Sequence, residues 1–134
     1  MARTQVAADQ AAAPQLRSGC PVACSLDVLG DRWTLLVIRD LFAGKARFGD
    51  FVASPEHIPT NILAERLKRL ERAGLIDSTL YCAHPVRVDY RLTERGRALA
   101  PVVDAIAVWG LEQFPGTRRR SARSADSAQK SSPA

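Results

Sequence analysis

Up to residue 74 the chain carries apolar residues at helical spacing. Two stretches of strand-like alternation follow, and then helical spacing returns. In residues 20–29, CPVACSLDVL, Val22, Leu26 and Leu29 share one face, with Cys24 and Val28 opposite. A helix apolar nearly all round is expected to be buried from more than one side. Pro21 suits its first turn and Gly30 its end. In residues 32–42, Trp33, Leu36, Val37 and Leu41 form a stripe that Leu35, Ile38 and Phe42 widen. Asp31 is expected to cap this helix and Gly44 to stop it. Residues 45–53 predict a turn and a short helix using Phe48, Phe51 and Val52; Ser54, Pro55 and Pro59 mark a loop. From Thr60 to Ala73, Leu63, Leu67 and Leu70 make one stripe. Asn61, Glu65, Lys68 and Arg72 lie on the far side, flanked by Thr60, Ala64 and Arg69. Gly74 ends that helix.

Residues 75–81 and 86–92 alternate. In the second stretch Val86, Val88, Tyr90 and Leu92 face one way and Arg87, Asp89 and Arg91 the other. Residues 82–85 connect them into a β-hairpin. Thr93 is expected to cap a last helix reaching about residue 114, with Leu99, Val102, Val103, Ile106, Trp109 and Leu111 on a broad apolar face. Pro101 is expected to kink it. The fold class is therefore mainly α with a small β-hairpin. A short helix, a turn, an amphipathic helix and a hairpin, in that order, make a winged helix-turn-helix, whose second helix enters the major groove.

A length of 134 residues suits one domain. Residues 20–116 are expected to form it, between a disordered tail at 1–19 and a basic disordered tail at 117–134. The net charge of +5 resides in those ends. Arg118, Arg119, Arg120, Arg123 and Lys130 oppose only Asp126 in the second tail, and residues 20–116 balance. The high charge is thus weak evidence for an anion site on the folded part, although the TRRRSAR run adds non-specific attraction to phosphate. No apolar run approaches the ~18 residues of a membrane span, and no signal peptide is visible. Three cysteines do not make a disulfide framework, so a reducing, cytoplasmic location is expected.

Enzyme signatures are missing: the chain has two histidines and no GxSxG, phosphate-binding glycine loop or HExxH. No cofactor is expected. Cys20, Cys24, Cys82 and His84 are four candidate metal ligands, but CxxxC with a distant CxH is not a standard structural zinc spacing. A metal- or ligand-binding regulator and a pure protein-interaction module remain the alternatives.

Six segments, in order and correctly spaced, carry a resemblance: CPV at Cys20, LDVLGDRWTLLVIRDL from Leu26, GKARFGDF from Gly44, IPTNILAERLKRLERAGLI from Ile58, VRVDYRLTERGRAL from Val86 and PVVDAIAVWG from Pro101. Together they resemble the HxlR-type transcriptional regulators, relatives of the MarR group. One departure is Gly49, where many members carry a serine able to cap the third helix.

The resemblance implies a homodimeric regulator of double-stranded DNA, more often a repressor, acting on a palindromic operator and answering to a small-molecule inducer such as an aromatic, a quinone or a reactive aldehyde. It implies a dimer built from the first and last helices, with Val22, Leu26, Val102, Ile106 and Trp109 at the interface. It puts Thr60, Asn61, Ala64, Glu65 and Lys68 at the reading position. Asn can bridge adenine, Glu can accept from cytosine, and Lys can serve guanine or phosphate. It also makes the hairpin the wing, with His84 and Arg87 near its tip. Arg suits a narrow minor groove, and an ion pair of Arg87 with Asp89 or another carboxylate is the competing reading. Lys45 and Arg47 are expected phosphate clamps. Cys20, at the N-cap of the first helix where a thiolate is favoured, falls where several members carry an oxidant-responsive cysteine. Packing is its other reading, and packing is expected for Cys24.

Overall fold

A computed structural model of the protein describes residues 16–119. Of the expected tails at 1–19 and 117–134, residues 1–15 and 120–134 lie outside the described residues. The chain divides into two compact units, one ending at Asp31 and one beginning at Arg32.

The first unit holds helix α1, Pro21–Leu29, with Cys20 as its extended N-cap and Pro21 in the first turn. Arg17 braces it, its Nε donating to Asp27 Oδ1 at 2.8 Å and its Nη2 to the Ala23 carbonyl at 3.3 Å. The Gly30 N–H donates to the Leu26 carbonyl at 2.7 Å. A Cβ on Gly30 would run into that oxygen, so the helix ends on a residue without one. No residue of α1 is buried. Within the single chain Val22 is 65% and Leu26 55% exposed.

The second unit contains α2 (Thr34–Phe42), α3 (Phe48–Val52), α4 (Thr60–Arg72), β1 (Ile76–Ala83), β2 (Val86–Leu92), α5 (Glu94–Arg97) and α6 (Ala100–Gln113). Its core is Val37, Ile38 and Leu41 of α2, Phe51 of α3, Ile58 in the loop before α4, Leu63, Leu67 and Leu70 of α4, and Leu75, Ile76 and Leu92 at the hairpin's root. These are the stripes the period picks out, since each amphipathic element buries its apolar face against the others. Gly44 and Gly74 stop α2 and α4 at φ of 97° and 77°, left-handed backbone that glycine adopts without strain.

Trp33 is the N-cap residue of α2, and its own side chain makes no capping bond. The last helix is not one kinked rod. Thr93 caps α5, accepting from the Gly96 N–H at 3.1 Å, and the chain turns before α6 starts. Pro101 sits in the first turn of α6, where its missing N–H costs nothing, so it begins a helix rather than bending one. The hairpin is also longer than its apolar pattern. Its antiparallel strands reach Ala83 and Val86, leaving only His84–Pro85, a cis peptide, as the turn. A β-bulge between Leu80 and Cys82 leaves Tyr81 without a cross-strand partner. Burial falls along β2 from Leu92 at the root to the exposed Val86 at the tip. No helix among the described residues is long and apolar enough to cross a membrane.

Candidate nucleic-acid interface

Helix α4 presents two contrasting sides. Leu63, Leu67 and Leu70 are buried. Thr60, Asn61, Glu65 and Lys68 are exposed, and Ala64 is half-buried beside them. The sequence therefore brings its five candidate reading residues onto one polar edge, because a 3.6-residue period places 61, 65 and 68 opposite the leucines. Thr60 and Asn61 occupy the first turn, the end that approaches base edges in helix-turn-helix proteins. Glu65 is engaged by Arg66, which is mostly buried at the core's border. Asn61 and Lys68 have no partner among the described residues.

The segment entering α4 is held by a polar cluster that hydrophobic pattern does not reveal. Asp40 is buried within α2 and accepts from Arg39 at 2.9 and 3.1 Å and from the Ser54 hydroxyl. Lys45 Nζ donates to Ser54 Oγ at 2.8 Å and lies 3.8 Å from Asp40. Arg39 reaches on to Glu56, Nη1 to Oε2 at 2.9 Å and Nη2 to Oε1 at 2.8 Å. This fork holds the Glu56 carboxyl below its ordinary range, chiefly through the Arg39 hydrogen bonds, against some opposing desolvation. The same bonds raise the Arg39 guanidinium, so it stays charged. Buried charges persist only when paired and hydrogen-bonded, and the cluster meets that condition while tying α2 to the turn before α4. Lys45, expected as a phosphate clamp, is here engaged with Ser54 and Asp40. The sequence does carry one signal: an Arg-Asp pair inside the apolar run of residues 35–42.

Arg47 begins α3. The Asp50 carboxylate accepts from the Ala46 and Arg47 N–H groups at 3.3 and 3.1 Å, so α3 is capped without a serine at Gly49. Phe51 anchors α3 in the core and meets Tyr90 edge-on, ring centroids 6.3 Å apart. Arg47 Nε donates to Asp89 Oδ1 at 3.0 Å, and its guanidinium lies 4.0 Å from the centre of the Tyr81 ring. Hydrogen bonding to Asp89 raises the Arg47 guanidinium further above its ordinary value. Burial raises the Tyr90 hydroxyl, with the nearby Glu71 charge adding to it. Asp89 is therefore the partner of Arg47 and not of Arg87. Arg87 and His84 are exposed near the wing tip, and Arg87 has no ion pair among the described residues.

The wing's root is pinned on both strands. The Ser78 hydroxyl donates to Glu71 at 2.9 Å, the Tyr90 N–H to the Ala46 carbonyl at 2.7 Å, and the Thr93 N–H to the Leu75 carbonyl at 3.0 Å.

Cys20 is exposed and Cys24 half-buried, its Sγ 3.1 Å from the Ser18 carbonyl; no described cysteine is in a disulfide. Among the described residues no three His, Cys, Asp or Glu side chains lie together as metal ligands would. Val102, Ile106 and Trp109 are exposed on α6, which has no buried residue. Arg119 pairs with Asp104; the rest of the basic run, from residue 120, lies outside the described residues.

The HxlR-like helix-turn-helix family model matches residues 28–117. The chain is 41% identical over 97 residues to the HTH-type transcriptional regulator Rv3095 of Mycobacterium tuberculosis, covering 72% of this chain and 61% of that protein. It is 36% identical over 88 residues to YvaP of Bacillus subtilis, covering 66% of this chain and 82% of YvaP. The chain thus spans less than two thirds of its mycobacterial relatives. Among solved structures, the redox regulator HypR in its reduced form superposes with a TM-score of 0.66 at 33% identity, over 72% of this chain and 95% of that one. The reduced form of the transcriptional regulator YodB from B. subtilis gives 0.60 at 32% identity, over 75% of this chain and all of YodB.

Proposed function

Because the chain belongs to the HxlR-like helix-turn-helix family, we propose that it is a sequence-specific, DNA-binding transcriptional regulator that acts as a homodimer and represses its target. The observation that carries this reading is the exposed polar edge of α4, set against buried leucines and followed at once by a pinned hairpin. On this reading Thr60 and Asn61 meet base edges first, Ala64, Glu65 and Lys68 continue along the groove, and the wing brings Arg87 and His84 to the backbone or minor groove. Phosphate contacts fix the register and base contacts supply the sequence preference. A palindromic operator follows from two-fold symmetry in the protein.

The test is a footprint of the purified protein on the DNA upstream of its own gene. A protected, inverted repeat is expected, and protection should weaken steeply with salt. No protection on any flanking region would leave the protein-interaction reading in its place.

A second reading, control by oxidants or electrophiles, is favoured by the exposed free thiol of Cys20 at the start of α1 and by the likeness to a redox regulator. Diamide or a quinone is expected to release the wild-type protein from DNA while Cys20→Ser stays bound. Equal release of both would make Cys20 a packing residue.

A further inference from the structure

We infer that Asp89 is a positioning residue for nucleic-acid binding: with Tyr81 it holds the Arg47 guanidinium so that its two terminal nitrogens can grip one backbone phosphate. The inference rests on the DNA-binding reading above and adds a task for two residues of the wing.

The backbone beneath Arg47 is fixed first. Its N–H and that of Ala46 are both taken by Asp50, and the Ala46 carbonyl accepts from Tyr90 on β2. The side chain then spans to the wing, 42 residues on in sequence. There Asp89 Oδ1 takes Nε alone, at 3.0 Å, and the Tyr81 ring covers one face of the guanidinium at 4.0 Å. Tyr81 is available because the bulge removes it from cross-strand pairing, and bulges commonly re-aim a side chain in this way. Neither Nη1 nor Nη2 of Arg47 has a partner among the described residues. A planar fork held at one nitrogen and along one face, with its terminal edge open, matches two non-bridging oxygens of a phosphodiester. Such pre-organisation lowers the side-chain entropy lost on binding.

Two roles for Asp89 differ in sign. If its carboxylate acts only by charge, removing it from a DNA-facing surface tightens binding to a polyanion. If it positions Arg47, removing it weakens binding. The full-length protein is titrated onto a fluorescently labelled duplex of arbitrary sequence across a range of salt, since a phosphate contact needs no particular base. Asp89→Asn is expected to lose about three- to tenfold in affinity, with the slope of log K against log salt shallower by about one. In an Arg47→Ala background the same change is expected to have no effect, which separates positioning from any loss of fold. Asp89→Asn binding as tightly as wild type or tighter, or weakening the Arg47→Ala protein equally, would overturn the inference and leave the DNA-binding reading intact. A wild-type protein that bound no duplex would remove that reading, and this inference with it.

Discussion

At the scale of single residues, two kinds of contact to DNA can be told apart by what each side chain does in the folded chain. Asn61 is exposed in the first turn of α4 and partnered by nothing described, so its truncation costs little stability, within about 0.5 kcal/mol. Asn61→Ala is expected to relax preference at one base pair by ~1–3 kcal/mol, read by competition between operator variants. An unchanged preference would mean another register for the reading helix. Arg87→Ala, at the wing, is instead expected to weaken all sequences alike and to lessen the salt slope by about one. The candidates on α4 were legible because a leucine stripe at 63, 67 and 70 dictates what faces away. The contacts of Lys45 were not, because its partners Asp40 and Ser54 are defined by the tertiary fold and leave no mark on the local period. The partner of Asp89 was not legible for the same reason: sequence proximity offers Arg87, and the fold supplies Arg47.

At the scale of elements, the turn before α4 depends on charge where the rest of the domain depends on apolar packing. Glu56 is more than a third exposed, so its pair with Arg39 is worth little beyond a surface ion pair, about 0.5–1 kcal/mol. Its carboxyl is lowered from the ordinary 4.5. The folded state therefore binds its proton less tightly than the unfolded state, and the stabilisation is complete above the unfolded value. It fades as pH falls through the lower folded value. Denaturant melts should show Glu56→Gln less stable than wild type at pH 7, with the two curves converging in acid; a gap that persisted or widened there would deny the pair its role. The joint between hairpin and α5 is purely steric. A Cβ on Gly96 would strike the Leu75 carbonyl and come within 2.9 Å of Leu92 Cδ2, so Gly96→Ala is expected to destabilise by roughly 1–3 kcal/mol, seen as a lower thermal midpoint. Element type and order were readable because period and stop signals are local. Pro101 shows the limit of that logic: a proline breaks a helix or begins one, and only the turn after α5 decides which.

At the scale of the molecule, the two helices at the ends of the described chain differ from the others in burial. Neither α1 nor α6 buries a single residue, yet both are rich in apolar side chains, with Ile106 51% and Trp109 57% exposed. An apolar surface of this kind on a small domain marks an interaction site. The apolar character of α1 is legible in the sequence, where Val22, Leu26 and Leu29 oppose Cys24 and Val28. What covers it is a property of a second chain, which no intramolecular pattern encodes. On the dimer reading, a charge inserted there separates two quantities. Ile106 is itself 51% exposed, so the secondary structure and thermal transition of Ile106→Asp should survive while sedimentation shifts from dimer to monomer. Binding to a single half-site should then stay close to wild type, because α4 and the wing are untouched. Binding to the full repeat should fall by roughly 10²-fold, the loss of one binding event tethering the other. A variant that sedimented as wild type, or a wild type already monomeric at micromolar concentration, would move the subunit interface elsewhere. A half-site affinity that fell as far as the full-site affinity would show that α6 supports the reading helix directly.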